Sequence, residues 1–220
     1  MIAEVVRAKE PLPVVADWHA SGWQDLNEIA LDHWYGERPP AHRPHSRVRI
    51  AWDAEALYWM FHVADRYVRA TAAGHQNAVC RDSCVEFFFC PGTEPSAGYF
   101  NVEINCGGTV LFHWQPKPKQ DVVSVSEPDL TKLDVAASLP PLVEPERTEP
   151  TDWTVACRLP LAVLRRYAPV VQPGPGTVWR ANFYKCADAC SHPHWLTWAP
   201  VGLSPAGFHR PDTFGALLFR

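Results

Sequence analysis

Glu86 and Glu103 each interrupt an apolar run in the segment DSCVEFFFCPGTEPSAGYFNVEINCGG, residues 82–108, which has the pattern of two strands joined by a turn. Alternation places Val85, Phe87 and Phe89 on one face with Phe100, Val102 and Ile104. The other face then holds Glu86, Phe88, Asn101, Glu103 and Asn105. A turn centred between Glu94 and Pro95 sets Glu86 directly across from Glu103. Like charges in that position repel, so a cation, a shared proton or the hydroxyls of a ligand must offset them. Opposed strand residues lie about 5 Å apart, which overlaps the carboxylate spacing of retaining glycosidases. The same pair equally suits a site that holds sugar hydroxyls, and ligand binding is the favoured reading over a hydrolase or lyase. No GxSxG elbow, phosphate loop or HExxH helix accompanies the acids.

Two other groupings invite chemistry. Cys186, Cys190, His192 and His194 have metal-ligand types, but the close Cys-x3-Cys and His-x-His spacing, stiffened by Pro193, is poor geometry for zinc. A Trp/His-rich loop near a site is the preferred reading. A disulfide between Cys186 and Cys190 stays open. Met60 beside His62 offers potential haem ligands, yet a lone Met in an apolar strand is core filling far more often.

The elements that must position these groups are mostly strands. SRVRIAWDAEALYWMFHVADRYV gives two strands across a turn at Asp53–Ala56, and the second is apolar on both faces, as a central strand should be. Residues 109–116, 153–159, 178–188 and the C-terminal TFGALLFR add further strands, and LAVLRRY at 161–167 is a short helix. Residues 1–45 are loop-rich. Residues 116–150 read as a long loop or edge excursion and as the best candidate for mobility. The 22 prolines and 12 glycines, with few helical patterns, complete an all-β expectation. That expectation is one antiparallel β-sandwich, immunoglobulin-like or jelly-roll-like, with one or two short helices, in a single domain over residues 1–220.

Composition narrows the partners. A hydrophobic content of 47% is enough to build a core, and 10 tryptophans favour an exposed aromatic platform besides the core. A net charge of −4 with no basic run argues against nucleic acid. No apolar stretch is long enough to span a membrane. Seven cysteines, an odd number set in apolar patterns, suggest reduced buried thiols. With no basic start followed by an apolar run, the chain as written is expected to be cytoplasmic, or extracellular had a signal been removed.

Six segments in order resemble the family-9 carbohydrate-binding modules and their stand-alone relatives. They are VRIAWDAEALYWMFHVAD (48–65), RDSCVEFFFCPG (81–92), YFNVEINCGG (99–108), WTVACRLPLAVL (153–164), WRANFYKCAD (179–188) and FHRPDTFG (208–215). The resemblance covers nearly the whole chain and implies a β-sandwich that binds a terminal mono- or disaccharide between two tryptophans without catalysis. It places Glu86 at the acidic sugar-binding position, Asn182 at an amide position and Phe208 at the second aromatic. It puts Cys80 where the first clamping tryptophan belongs and Asn101 where an arginine belongs, and it gives Glu103 no role. Trp195, Trp198 or Trp114 would then have to replace the missing indole. His209 and Arg210 would supply donors beside Glu86, Glu103 and Asn101. Some members carry calcium, which the resemblance leaves open.

Overall fold

The computed structural model describes all 220 residues. Sixteen strands follow one another along the chain. They are β1 (Ile2–Arg7), β2 (Ile29–Ala30), β3 (His33–Trp34), β4 (His45–Trp52), β5 (Ala56–Asp65), β6 (Val68–Ala70), β7 (Cys84–Cys90) and β8 (Tyr99–Asn105). The rest are β9 (Val110–Gln115), β10 (Val123–Ser124), β11 (Asp134–Ala137), β12 (Val143–Arg147), β13 (Thr151–Pro160), β14 (Val178–Cys186), β15 (Trp195–Thr197) and β16 (Gly215–Phe219). Two one-turn helices are present, α1 (Glu127–Leu130) and α2 (Leu161–Leu164).

Fourteen of the strands form one continuous sheet folded back on itself, along the order β10-β9-β8-β7-β14-β16-β1-β4-β5-β13-β11 with β2, β3 and β15 off this path, and β6 and β12 pair separately. The two halves of the large sheet face each other across a common core, so this is the all-β sandwich the periodicity predicts. The pairing is mixed, however, rather than purely antiparallel. β1 runs parallel to both of its neighbours: Ile2–Val5 pair with β16, and Val6–Arg7 pass over to β4. The N-terminal strand therefore stitches the halves together.

Alternation builds the core from both sides. Trp59 and Phe61 of β5 point inward and meet Phe87 of β7 and Phe183 of β14, with ring centroids 5.2 Å and 6.0 Å apart. Phe87 stacks on Phe183 at 4.8 Å, across the β7–β14 ladder. Each such ring, fully buried, contributes about 2–3 kcal/mol. β5 lies between β4 and β13, and its outward residues Tyr58 and Met60 are buried under Trp18 and Trp23 of the N-terminal loop. Met60 is thus packed on all sides, and His62 lies 5.4 Å from the Trp18 ring, so this pair holds no haem.

Of the two forms expected for the segment 116–150, a long loop or an edge excursion, it takes the second. β10 extends one free edge of the folded sheet beside β9, β11 extends the other beside β13, and β12 pairs β6 in a separate two-stranded sheet. The segment's strands are two to five residues long, too short for alternation to register in the sequence.

Candidate functional site

The β7–β8 register is Cys84↔Asn105, Glu86↔Glu103, Phe88↔Asn101. Because Phe87 and Val102 must face the core, Glu86 and Glu103 are driven to the outer face. The turn between the strands passes through Gly98 at φ +101°, where a Cβ would lie 2.6 Å from the Trp114 ring. Only glycine fits there, and Trp114 is thereby fixed against Phe100 in the core rather than at the site.

The outer face of β7, β8 and β14 is roofed by residues 204–214 and by the loop around Tyr35. A cavity of about 220 Å³ is left between them. Glu86 and Glu103 form its floor, with Cys186 beside them. Tyr35, Trp195 and Phe208 supply aromatic wall, and Cys80, Asp188, Lys119 and His209 complete it. The acids are 3% and 6% exposed, enough to open only into the pocket. Cys186 Sγ donates to Glu86 Oε1 at 3.0 Å, and Asn101 Nδ2 donates to Glu103 Oε1 at 2.9 Å. The other oxygen of each carboxylate has no donor within the protein.

Beneath Glu103 runs a chain of polar contacts. Gln115 Nε2 donates to Asn101 Oδ1 at 2.8 Å, the Tyr99 hydroxyl donates to Gln115 Oε1 at 2.8 Å, and His209 Nδ1 meets that hydroxyl at 2.7 Å. The chain orients Glu103 and leaves Asn101 one layer behind the pocket.

Electrostatics follow from burial. Loss of water and then the neighbouring Glu103 raise the Glu86 carboxyl well above the carboxylate range. Burial pushes Glu103 up to about 7 against the hydrogen bond from Asn101, with Asp188 adding to the rise. The pair is therefore not fully ionised at neutral pH. Burial, reinforced by Lys119, lowers His209 to about 4 and keeps its imidazole neutral.

Some residues expected at the site are elsewhere. Trp198 is 3% exposed and packs on Phe183 and against Gly215, whose added Cβ would meet its ring at 2.7 Å. Asn182 is buried, and its amide is spent on the chain: Oδ1 accepts from Phe183 N and Ala199 N, and Nδ2 donates to Ala199 O. It fixes the loop that carries the roof. Arg210 forms a two-pronged ion pair with Asp212 outside the cavity. Phe208 lines the pocket but is largely buried, stacked on Tyr184 at 4.1 Å with Tyr35 edge-on at 6.1 Å. Trp195 lines it too, its indole N–H held by Asp188 Oδ1 at 2.7 Å.

The Cys/His grouping is pulled apart. Lys185 Nζ donates to His194 Nε2 at 2.6 Å, His192 stacks on Tyr67, and the Cys190 thiol contacts Ser83. All seven cysteines are free thiols, so Cys186 and Cys190 are not bridged. The one close grouping of three metal-type donors is Cys84, Glu86 and Cys186, within 4.8 Å of one another. Calcium requires six to eight oxygen ligands, and two thiols with one carboxylate do not fit it. Cys84 itself raises the Cys186 thiol, together with burial, and burial raises Cys84, so both keep their protons and act as the floor's hydrogen-bonding surface.

Tyr35, Lys119, Asp188 and the Ala206–Gly207 backbone also line the cavity. They come from loops, where no periodicity marks them.

A family model, carbohydrate-binding family 9, matches residues 12–219 of the chain. The chain belongs to carbohydrate-binding family 9. A crystal structure of a candidate carbohydrate-binding protein from Bacteroides uniformis is similar over 100% of this chain and 99% of its own, with 27% identity and a TM-score of 0.87. A family 9 module from Caldicellulosiruptor kristjanssonii solved with glucose is 13% identical, covers 100% of this chain and 96% of its own, and gives a TM-score of 0.66. The same organism's module with cellotriose is 13% identical, covers 100% and 94%, and gives 0.63. At that identity the two modules share the family 9 fold with this chain. No curated protein matches it.

Proposed function

We propose that this family 9 protein binds carbohydrate without catalysis, taking a terminal sugar unit into the cavity above Glu86 and Glu103. Family membership supports this, as do the relatives solved with glucose and with cellotriose. The observation that carries it is the cavity itself. Two buried acids each present a free oxygen beside aromatic rings, which is the complement of a pyranose with hydroxyls on its rim and C–H groups on its faces. Glu86 and Glu103 accept from the hydroxyls, Lys119 donates, and Trp195 and Phe208 cover the ring. Cys80 stands in the wall without the area of an indole, so one aromatic side of the clamp is reduced and the grip on a chain of sugars is shortened to its end.

Hydrolysis needs acids flanking a glycosidic bond, one to attack and one to protonate. Here Glu86 and Glu103 stand opposed on one sheet face, and family membership favours holding a sugar there over cleaving one. Isothermal titration against mono- and oligosaccharides tests the proposal. Saturable binding of at least one sugar, lost in Glu86→Gln, is the expected result. No heat from any sugar at millimolar concentration overturns it.

A further inference from the structure

Carboxyl groups outnumber cationic groups around the cavity. Glu86, Glu103 and Asp188 line it, and Lys119 is the one cationic side chain among the lining residues. His209 is neutral at physiological pH and cannot compensate. The two buried acids face each other with one unpartnered oxygen apiece, since only their Oε1 atoms receive donors. Asp188 has its Oδ1 on the Trp195 indole, which brings a third carboxylate to the edge of an aromatic ring.

A neutral sugar can fill these oxygens with hydroxyl donors and leaves the pair holding a proton. A protonated amine satisfies the same oxygens and holds both carboxyls in the ionised form. Tyr35, Trp195 and Phe208 complete the setting, because aromatic rings beside carboxylates are the usual surroundings of a bound ammonium group. About 220 Å³ is smaller than a pocket for a drug-sized ligand and holds one ring.

We infer that the preferred ligand is an amino sugar with a free, protonated amine, its nitrogen directed at Glu86 and Glu103 and its ring against Trp195 and Phe208. The inference rests on the carbohydrate reading above and sharpens it. An N-acetyl group would remove the charge that the acids hold.

Titration calorimetry with matched sets, glucosamine against glucose and N-acetylglucosamine, and galactosamine against its two counterparts, reads the preference. Cyclohexylamine serves as an amine of similar size that is not a sugar. In at least one set the free amine should bind about tenfold more tightly than its neutral counterpart, with the margin shrinking at 0.5 M salt. Glu103→Gln should lower that margin several-fold. Asp188→Asn should lower it less, and because Asp188 is exposed this variant keeps the fold if the buried one does not. Equal affinity for amine and neutral sugar overturns the inference and leaves the carbohydrate site standing. Binding of cyclohexylamine with no binding of any sugar overturns both, as does no binding at all.

Discussion

Glu103 sits opposite Glu86 with a single hydrogen-bond donor, and its carboxyl is raised from 4.5 to about 7 by burial. A carboxyl whose folded-state pKa exceeds its unfolded value stabilises the fold at low pH. That contribution is complete below about 4.5 and is lost as pH climbs through about 7. The shift corresponds to about 3 kcal/mol. Glu103→Gln removes it, so the variant should gain stability relative to the parent by about that amount between pH 4 and pH 8, and be the more stable of the two at pH 8. Removing Glu103 also lowers the neighbouring Glu86 carboxyl, which adds to the gain, whereas titrations remote from the pair cancel. Urea unfolding at several pH values measures it, and a difference that does not change with pH would contradict the buried acid pair.

A buried ionic cluster flanks the floor on the other side. Lys185 is fully buried, 3.4 Å from Asp65 and 2.6 Å from His194. Burial alone would raise the Asp65 carboxyl, but the Lys185 charge and the hydrogen bond from His42 hold it near 2. Removing one partner strands the other, so Asp65→Asn should cost about 3–5 kcal/mol in urea unfolding at neutral pH. A loss under 1 kcal/mol would mean that Lys185 finds another anion.

At the scale of elements, Trp195 and Trp198 separate folding from binding. Trp195 lies on β15 and turns its ring to the cavity, whereas Trp198, just past the strand, turns into the core. Trp198→Ala should cost about 3–5 kcal/mol of stability. Trp195→Ala should leave stability nearly unchanged and weaken sugar binding about tenfold. Thermal unfolding and titration on the two variants distinguish these outcomes, and reversed effects would invert the assignment.

The same two residues show what is legible in the sequence. The β7–β8 register is readable because Val85, Phe87 and Phe89 must share a face with Phe100, Val102 and Ile104, and one pairing satisfies both strands. That register delivers Glu86 opposite Glu103. Trp195 and Trp198 cannot be told apart this way, because the loop before β15 sets their orientation and loops have no period. Asn182 lies on the correct face, but its partner, Ala199, comes from beyond that loop. Tyr35, Lys119 and Asp188 enter the cavity from irregular segments and carry no local signal. Edge strands as short as β10 and β11 are set by the sheet they join rather than by their own residues.

For the whole molecule, β1 is the element on which both halves depend. Val5 is fully buried, and its carbonyl accepts from the Trp52 indole, as does the carbonyl of Arg220. Deleting residues 1–7 would open the edges of β16 and β4 at once. The expected result is loss of a single cooperative unfolding transition. An unchanged urea midpoint would show that the halves associate through the core alone. Because β16 also pairs β14, whose other neighbour is β7, the stitch supports the strands under the cavity.

One measurement reads both the site and its ligand class. Backbone amide resonances should be followed while glucose and glucosamine are added separately to the intact protein up to tens of millimolar. Saturable shifts confined to Glu86, Glu103, Asp188, Trp195 and the Ala206–His209 turn are expected. Shifts that cluster on any other surface, or none with either sugar, would contradict the assigned site.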